Sequence, residues 1–230
     1  MRYLFELAPN VFGLLVGKSL VITVIGWILT AVAAYLLGSL NSSIIVSKWK
    51  YKQDIRDFGS GNAGLTNMHR VYGKDGAVYT LVGDIAKQIA AVLIGSLLFS
   101  RYGAYLAGLF CIIGHIFPIY YRFKGGKGVL TAATMILVID PLIFLVLFII
   151  FALVLLITRY VSLSSIIAAI TYPVCMTVAY GIANVFELCF ALFVGVMVIY
   201  MHRTNLYRLF NNQESKFSFK KKEKKDNEDK

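Results

Sequence analysis

Long apolar runs, separated by short polar stretches rich in glycine or basic residues, fill almost the whole chain. Seven such runs are long enough, or nearly long enough, to cross a bilayer as helices, since a crossing takes about 20 residues. They cover residues 19–46, 77–99, 102–120, 129–139, 142–158, 166–180 and 185–200. Their residues do not alternate between apolar and polar, as the strands of a membrane barrel would. The pattern therefore predicts an all-α polytopic membrane protein with about seven transmembrane helices.

The run at 129–139 is the shortest of these segments. It holds 11 residues, and Asp140-Pro141 predicts a sharp turn directly after it. We interpret it as a re-entrant segment or a short span that precedes a full crossing at 142–158. If the short segments do not cross, the chain has five or six spans.

The composition agrees with a membrane chain and leaves no room for a large soluble domain. Of 230 residues, 58% are hydrophobic and 15% are charged, whereas about a quarter of a soluble domain is charged. The three cysteines lie in apolar runs, and no histidine or cysteine spacing is typical of a metal site. We expect neither a metal nor a cofactor.

Basic residues concentrate in alternate loops. They lie at 48–56, 122–127, 159 and from 202 onward, whereas the other turns are nearly neutral except for Arg101. Because cytoplasmic loops carry an excess of lysine and arginine, this asymmetry predicts an outside N-terminus and a cytoplasmic C-terminus. We therefore expect a multi-pass protein of the cell's inner, or plasma, membrane.

Three regions follow from the same pattern. Residues 1–18 are an amphipathic N-terminal extension, 19–210 a transmembrane domain and 211–230 a basic tail. Residues 216–230 carry seven lysines against four acids. That composition predicts a disordered cytoplasmic segment near anionic lipid headgroups. The expected partner is the lipid bilayer, and a nucleic acid is the weaker reading.

The stretch at 114–129, which reads GHIFPIYYRFKGGKGV, is the most unusual of the polar stretches. It combines Arg122, Lys124 and Lys127 with three nearby glycines. Cations at the mouth of a span are costly unless they face water or an anion, and glycines let backbone N–H groups approach a ligand and form an anion nest. The stretch predicts a phosphate cradle, although a plain basic turn at the cytoplasmic face fits the spacing equally well.

Three further polar clusters, at 59–70, 159–165 and 202–216, fall on the same predicted face. The clusters offer charged and neutral donors that suit phosphate. The cations are Arg70, Lys124, Lys127, Arg159 and His202, the hydroxyls belong to Ser60, Ser162, Ser164 and Ser165, and the amides belong to Asn62, Asn67 and Asn205. The glycine loop is not a P-loop, because Gly128 follows Lys127, and no histidine is separated from a following acid by four residues, as in the H-x4-D acyltransferases.

Three pairs or single residues leave two interpretations open. Asp84 and Lys87 stand three apart inside an apolar run and can pair on one helix face, either as a structural ion pair or for function. His115 has a structural role at a helix end or a functional one. His202 and Asn205, also three apart, are a ligand-facing pair or a simple helix cap.

Several ordered motifs together carry a resemblance to a known family. They are Ser60-Gly61-Asn62 with Gly64, Thr66-Asn67 and Arg70; Gly83-Asp84 with Lys87; Gly114-His115, Phe117-Pro118 and FKGGKG at 123–128; RYVSL at 159–163; and His202-Arg203 with Asn205, Arg208, Glu214 and Lys216. From Gly38 to Lys216 the chain resembles the bacterial membrane acyl-phosphate:glycerol-3-phosphate acyltransferases, the PlsY family. Asn41 and Gln88 depart from the family pattern, which often has proline and usually glycine there.

The resemblance implies a seven-helix membrane fold and transfer of a fatty acyl group from acyl phosphate to the 1-position of glycerol 3-phosphate. The products would be lysophosphatidic acid and phosphate, the first step of phospholipid synthesis, with no cofactor. It implies catalytic roles for Ser60, Arg70, Lys127, His202 and Asn205. It further implies substrate binding by Gly61, Asn62, Asn67, Lys124, Gly125, Gly126, Gly128, Ser162 and Ser164, and structural roles for Asp84, Lys87 and Glu214.

These residues support two interpretations of the function. In the first, the cations hold the two substrate phosphates, and a phosphate oxygen takes the hydroxyl proton because no protein base stands in a suitable setting. The second is transport of a phosphorylated solute, which needs polar groups near the membrane midplane. The only charged pair available there is Asp84 with Lys87. A scaffold that recruits partners through its tail leaves the glycine loops unexplained.

Overall fold

A computed structural model describes residues 19–182 and 184–218, and within these ranges the chain is helical with no strand. Its helices are α1 Leu20–Ser39, α2 Ser42–Tyr51, α3 Leu65–Ile116, α4 Val129–Ile139, α5 Pro141–Thr158, α6 Val161–Tyr180, α7 Val185–Met201 and α8 Arg203–Phe210. Short 3-10 turns lie at Ile55–Asp57 and Ile119–Tyr121. The predicted extension 1–18 and the tail beyond 218 lie outside the described residues.

The long helix α3 consists of three segments. Gly73 breaks it with a φ of 71°, and Phe99 and Ser100 leave helical geometry together, with a φ of 54° at Ser100. The segments are α3a (65–72), α3b (74–98) and α3c (101–116). The last two correspond to the second and third predicted spans.

Small residues bring the first spans close together. A Cβ on Gly95 of α3b would lie 2.2 Å from the carbonyl oxygen of Gly103 of α3c. A Cβ on Gly38 of α1 would lie 2.1 Å from the carbonyl oxygen of Cys111. Backbones can approach this closely only where the side chain is absent, which is the usual packing of membrane helices.

The remaining helices complete the bundle around one apolar core. α4 packs on α3, and α5, α6 and α7 each pack on the helix before them. Ile112 from α3c, Met135 from α4, Tyr172 from α6 and Phe190 from α7 meet in this core. On α5 most large apolar side chains are exposed instead, as expected of a helix that faces lipid.

The predicted all-α polytopic membrane fold is confirmed, since each apolar run is helical. Among the described residues, four helices are long and apolar enough to cross a bilayer, or five if α7 and α8, which meet at a bend of 58°, count as one span. In this count α3 appears once although it contains two predicted spans. The short run at 129–139 is the separate helix α4.

The first predicted span is shorter than expected. Helix α1 ends at Ser39, and the basic end of the run belongs to the separate helix α2. Asn41 caps α2, because its Oδ1 accepts the N–H of Ile44 at 3.1 Å, and its Nδ2 donates to the carbonyl of Ala63 at 3.4 Å. Asn41, one of the two residues that depart from the family pattern, therefore starts a helix and contacts the next loop.

Candidate active site

Lys127 lies in a half-buried position at the centre of a chain of polar contacts. Its ammonium donates to Oδ1 of Asn205, at the start of α8. The Nδ2 of Asn205 donates to Oε1 of Glu214 at 2.7 Å, and the hydroxyl of Ser162 donates to the same oxygen at 2.7 Å. Residues predicted from three separate motifs thus share one network, which joins the loop before α4 to α6, α8 and the residues after α8.

Further charges surround this network. Burial has the largest effect on the pKa of Lys127 and lowers it. The nearby Glu214 raises the pKa, whereas Arg208 and Arg70 lower it, and the result is a pKa of about 8. Among the described residues, no group of histidine, cysteine and acidic side chains could hold a metal ion. The cluster is therefore a cationic pocket with one carboxylate, which suits an anionic ligand.

His202 sits at the bend between α7 and α8, and its ring is buried. Its Nδ1 lies 2.8 Å from the carbonyl oxygen of Val198, so Nδ1 carries the proton and donates. Burial, followed by the charge of Lys127, lowers the pKa of His202 to about 4. The imidazole is therefore neutral near pH 7, with Nε2 left to accept a hydrogen bond.

The loop that carries Ser60 is organised by Asn67, whose side chain is buried. The Oδ1 of Asn67 accepts the backbone N–H of Ser60 at 2.9 Å, and its Nδ2 contacts the carbonyl oxygens of Phe58 at 2.9 Å and Asn62 at 3.0 Å. An amide has two N–H groups, so the loop itself occupies this side chain. Asn67 thus organises this loop, and its substrate-binding role stays a prediction.

Two glycines of the lysine loop, defined here as 122–128, donate their N–H groups to the end of α3c. The N–H of Gly125 donates to Ile116 at 3.1 Å, and that of Gly126 donates to His115 at 3.1 Å. A Cβ on Gly125 would lie 2.1 Å from the carbonyl oxygen of His115. These glycines permit close packing against the end of α3c, directly before Lys127, and their substrate-binding role stays a prediction.

Arg56 joins the serine loop, defined here as 52–64, to the lysine loop, a contact that motif reasoning missed. Its Nη1 donates to the carbonyl oxygens of Tyr121 at 2.9 Å and Lys124 at 3.3 Å. Asp54 fixes the guanidinium through two hydrogen bonds, at 2.9 and 2.7 Å, and Arg56 in turn holds the pKa of Asp54 well below its usual range. The position of Asp54, two residues before Arg56, was the sequence feature that could have indicated a fixed guanidinium.

The residues after α8 fold back across the site. The N–H of Phe217 donates to the carbonyl oxygen of Arg159 at 2.7 Å, and its ring stacks on His69 with the ring centroids 5.4 Å apart. Lys216 lies over the ring of Tyr160 at 5.7 Å. The first residues of the predicted tail therefore pack on the transmembrane part.

The other predicted site residues take varied positions. Lys124 and Arg70 are exposed, and Ser60 is half-buried, with no hydrogen bond from its hydroxyl to another described residue. Ser164 is fully buried, and its hydroxyl donates to the carbonyl oxygen of Tyr160, directly before α6, at 2.9 Å. The positive φ values of 73° at Gly61 and 80° at Gly128 place both in the left-handed region that favours glycine.

The family model described as glycerol-3-phosphate acyltransferase matches residues 28–212. The chain belongs to the glycerol-3-phosphate acyltransferase family. Proteins of that name from Thermoanaerobacter pseudethanolicus (38% identity, 84% of this chain and 96% of the relative) and Bacillus anthracis (number 2; 42%, 82% and 98%) are similar along most of both chains.

Solved structures of PlsY, an integral membrane glycerol 3-phosphate acyltransferase, have the same fold as this member of the family. The glycerol 3-phosphate form has a TM-score of 0.77 and 36% identity over 84% of this chain and 96% of that one. The lysophosphatidic acid form has a TM-score of 0.74 and 34% identity, over 84% and 95%. This chain is therefore a membrane protein of an acyltransferase family.

Proposed function

We propose that this protein moves a fatty acyl group from acyl phosphate to the 1-position of glycerol 3-phosphate, giving lysophosphatidic acid and phosphate. The observation that carries the proposal is the half-buried cation Lys127, held by Asn205 among Arg70, Arg208 and His202. Family membership and the glycerol 3-phosphate form of the PlsY structure support the acceptor. The acyl phosphate donor is inferred from the motifs.

In this proposal the cationic pocket binds the phosphate of the acceptor. Lys127 and Arg70 supply charge, and His202 and Asn205 supply neutral polar atoms beside it. Ser60, with Gly61 and Asn62 in the same loop, faces the donor phosphate. The Arg56 contacts, which join the two loops, support a site in which both phosphates lie side by side.

The acceptor hydroxyl attacks the carbonyl carbon of the donor, and the bond from that carbon to the phosphate oxygen breaks. The hydroxyl proton passes to a phosphate oxygen of the substrates, so that the released phosphate and the new ester balance the equation. His202 is a weak base because its pKa is about 4, which supports a substrate-assisted transfer. The cations stabilise the charge that develops on the departing phosphate.

We further propose that the site faces the cytoplasm, with the N-terminus outside and the C-terminus inside. Contacts among the serine loop, the lysine loop, Arg159 and the residues after α8 support one shared face for the basic clusters. The positive-inside rule then gives that face its side of the membrane. The acyl chain would run from there into a groove between the spans, in contact with lipid.

The pH dependence of acceptor binding tests the role of Lys127. Its lowered pKa of about 8 means that the ammonium loses its proton as the pH rises through that value, whereas glycerol 3-phosphate is already a dianion above its second pKa of about 6. We expect kcat/KM for glycerol 3-phosphate to fall tenfold per pH unit above about pH 8, because kcat/KM reports the free enzyme.

The measurement is initial rates against glycerol 3-phosphate between about pH 6.5 and pH 9.5, corrected for spontaneous hydrolysis of the donor. A Lys127→Arg enzyme that retains activity is the control, since a guanidinium stays charged throughout this range. A wild-type profile that stays flat to the highest pH contradicts the assignment of Lys127 as the titrating cation.

The activity itself is tested with purified protein in detergent, palmitoyl phosphate and radiolabelled glycerol 3-phosphate. We expect labelled lysophosphatidic acid in the organic extract, no product with palmitoyl-CoA, and no product from a Ser60→Ala variant. Product formed only from the CoA ester would overturn the donor. No product from any donor, with uptake of glycerol 3-phosphate into reconstituted vesicles, would favour the transporter.

A further inference from the structure

An ion pair, formed by Asp84 and Lys87 of α3b, is buried inside the helix bundle. The Nζ of Lys87 lies 2.9 Å from Oδ1 of Asp84, with 5% and 1% of the two side chains exposed. The pair that the spacing predicted is therefore present. Charges at such a depth are costly and are kept where they serve a purpose, yet the proposed chemistry does not use them.

The ion pair leads to a third polar side chain. Lys87 donates to the carbonyl oxygens of Gly38 at 3.0 Å and Leu40 at 2.9 Å, where α1 ends. Its Nζ also lies 3.1 Å from Nδ1 of His115. Lys87 thus brings Asp84, the end of α1 and the ring of His115 to one point in the bundle.

His115 connects this buried group to the lysine loop. Its carbonyl oxygen accepts the N–H of Gly126 at 3.1 Å. On the ring side, a Cβ built on Gly126 would lie 2.2 Å from Nε2 of His115 and 2.8 Å from the carbonyl oxygen of Ala63. Gly126 thus sits in a slot between the imidazole and the serine loop, directly before Lys127.

We propose that Asp84, Lys87 and His115 form a buried support that sets the position of Lys127 through Gly126. The three are positioning residues, since none is in the cationic pocket. The inference rests on the proposed function of Lys127. It explains why a charged pair is retained within the bundle: Lys87 fixes the end of α1 and the His115 ring at the same point, so the lysine loop has a rigid base.

Kinetics separate this role from a merely structural one. We expect His115→Ala to raise KM for glycerol 3-phosphate about 10- to 100-fold, since an error of about 1 Å in placement has effects of this size. Gln88→Met is the matched control: Gln88 is buried next to Lys87 and donates to the carbonyl of Gly108 at 3.1 Å. Gln88→Met should lower thermal stability and leave KM for glycerol 3-phosphate unchanged. Equal KM in the wild type and His115→Ala would overturn the proposal.

A double-mutant cycle checks the slot directly. Gly126→Ala should raise KM strongly because its methyl group meets the imidazole, and the same change should have a smaller effect in a His115→Ala background, where that ring is gone. The remaining effect reflects the carbonyl of Ala63. Effects that multiply independently would show that the ring does not act on Gly126.

Chemical labelling keeps the inference testable apart from the activity. Acetic anhydride reacts with neutral amines, so the acetylation rate of Lys127, followed by mass spectrometry of the purified protein, reports the surroundings of its amine without any substrate. We expect a changed rate in His115→Ala and an unchanged rate in Gln88→Met. Unchanged labelling in both would overturn the positioning role, whereas absence of acyl transfer in the wild type would overturn only the proposed function.

Discussion

Replacing Lys127 with alanine should lower kcat/KM for glycerol 3-phosphate by about 10²- to 10³-fold, the range seen when a charge-stabilising group is removed from an active site. The ammonium is half-buried and donates to Asn205, so no solvent cation can replace it. Arg70 is exposed and cannot take its place. The measurement is lysophosphatidic acid formation at saturating donor with varied glycerol 3-phosphate.

Lys124 provides the comparison for this result. It lies three residues earlier in the same loop, but its side chain is exposed, so its charge is screened by water and salt. Lys124→Ala should reduce kcat/KM no more than about tenfold. Equal losses from the two variants would mean that the loop acts through its total charge, and the central place given to Lys127 would then be wrong.

Most of the fold could be predicted because hydropathy records which segments face lipid. Asp140-Pro141 was expected to turn the chain, and Asp140 indeed caps α5 by accepting the N–H of Ile143 at 3.2 Å. The end of α1 could not be placed in this way. There the ammonium of Lys87, far away in the sequence, donates to the carbonyl oxygens of Gly38 and Leu40. The residues around the end of α1 give no sign of this tertiary contact.

The candidate site was predictable as a set of residues but not as a set of contacts. Lys127 and Asn205 come from motifs 78 residues apart, and motif reasoning gives no partner for either. The glycine pattern was interpreted through its N–H groups as phosphate donors. In the structure, the N–H groups of Gly125 and Gly126 donate to the end of α3c, and the absence of Cβ atoms permits this close packing. Phe217 had no signal at all, since it follows a helix in a polar, lysine-rich stretch.

Removing the amide of Asn67 should have the second large effect. Asn67→Ala leaves the N–H of Ser60 and the carbonyl oxygens of Phe58 and Asn62 without their partner in a partly buried setting, where each unsatisfied group costs up to about 1–3 kcal/mol. We expect a markedly lower melting temperature in detergent and, below it, a loss of acyl transfer about as large as that of Ser60→Ala.

Thr80→Val is the control for the melting temperature, because the Thr80 hydroxyl is equally buried and donates only within α3b, to Gly76 at 2.9 Å. It should keep its activity. Asn67→Asp retains the acceptor for the N–H of Ser60 but loses the donors, so its activity should lie between those of the wild type and the alanine variant. Full activity of folded Asn67→Ala would mean that the serine loop needs no such anchor. Since the side chain of Asn67 is occupied by backbone groups, a loss of activity in this variant reports the position of Ser60, which the motif could name but could not fix in space.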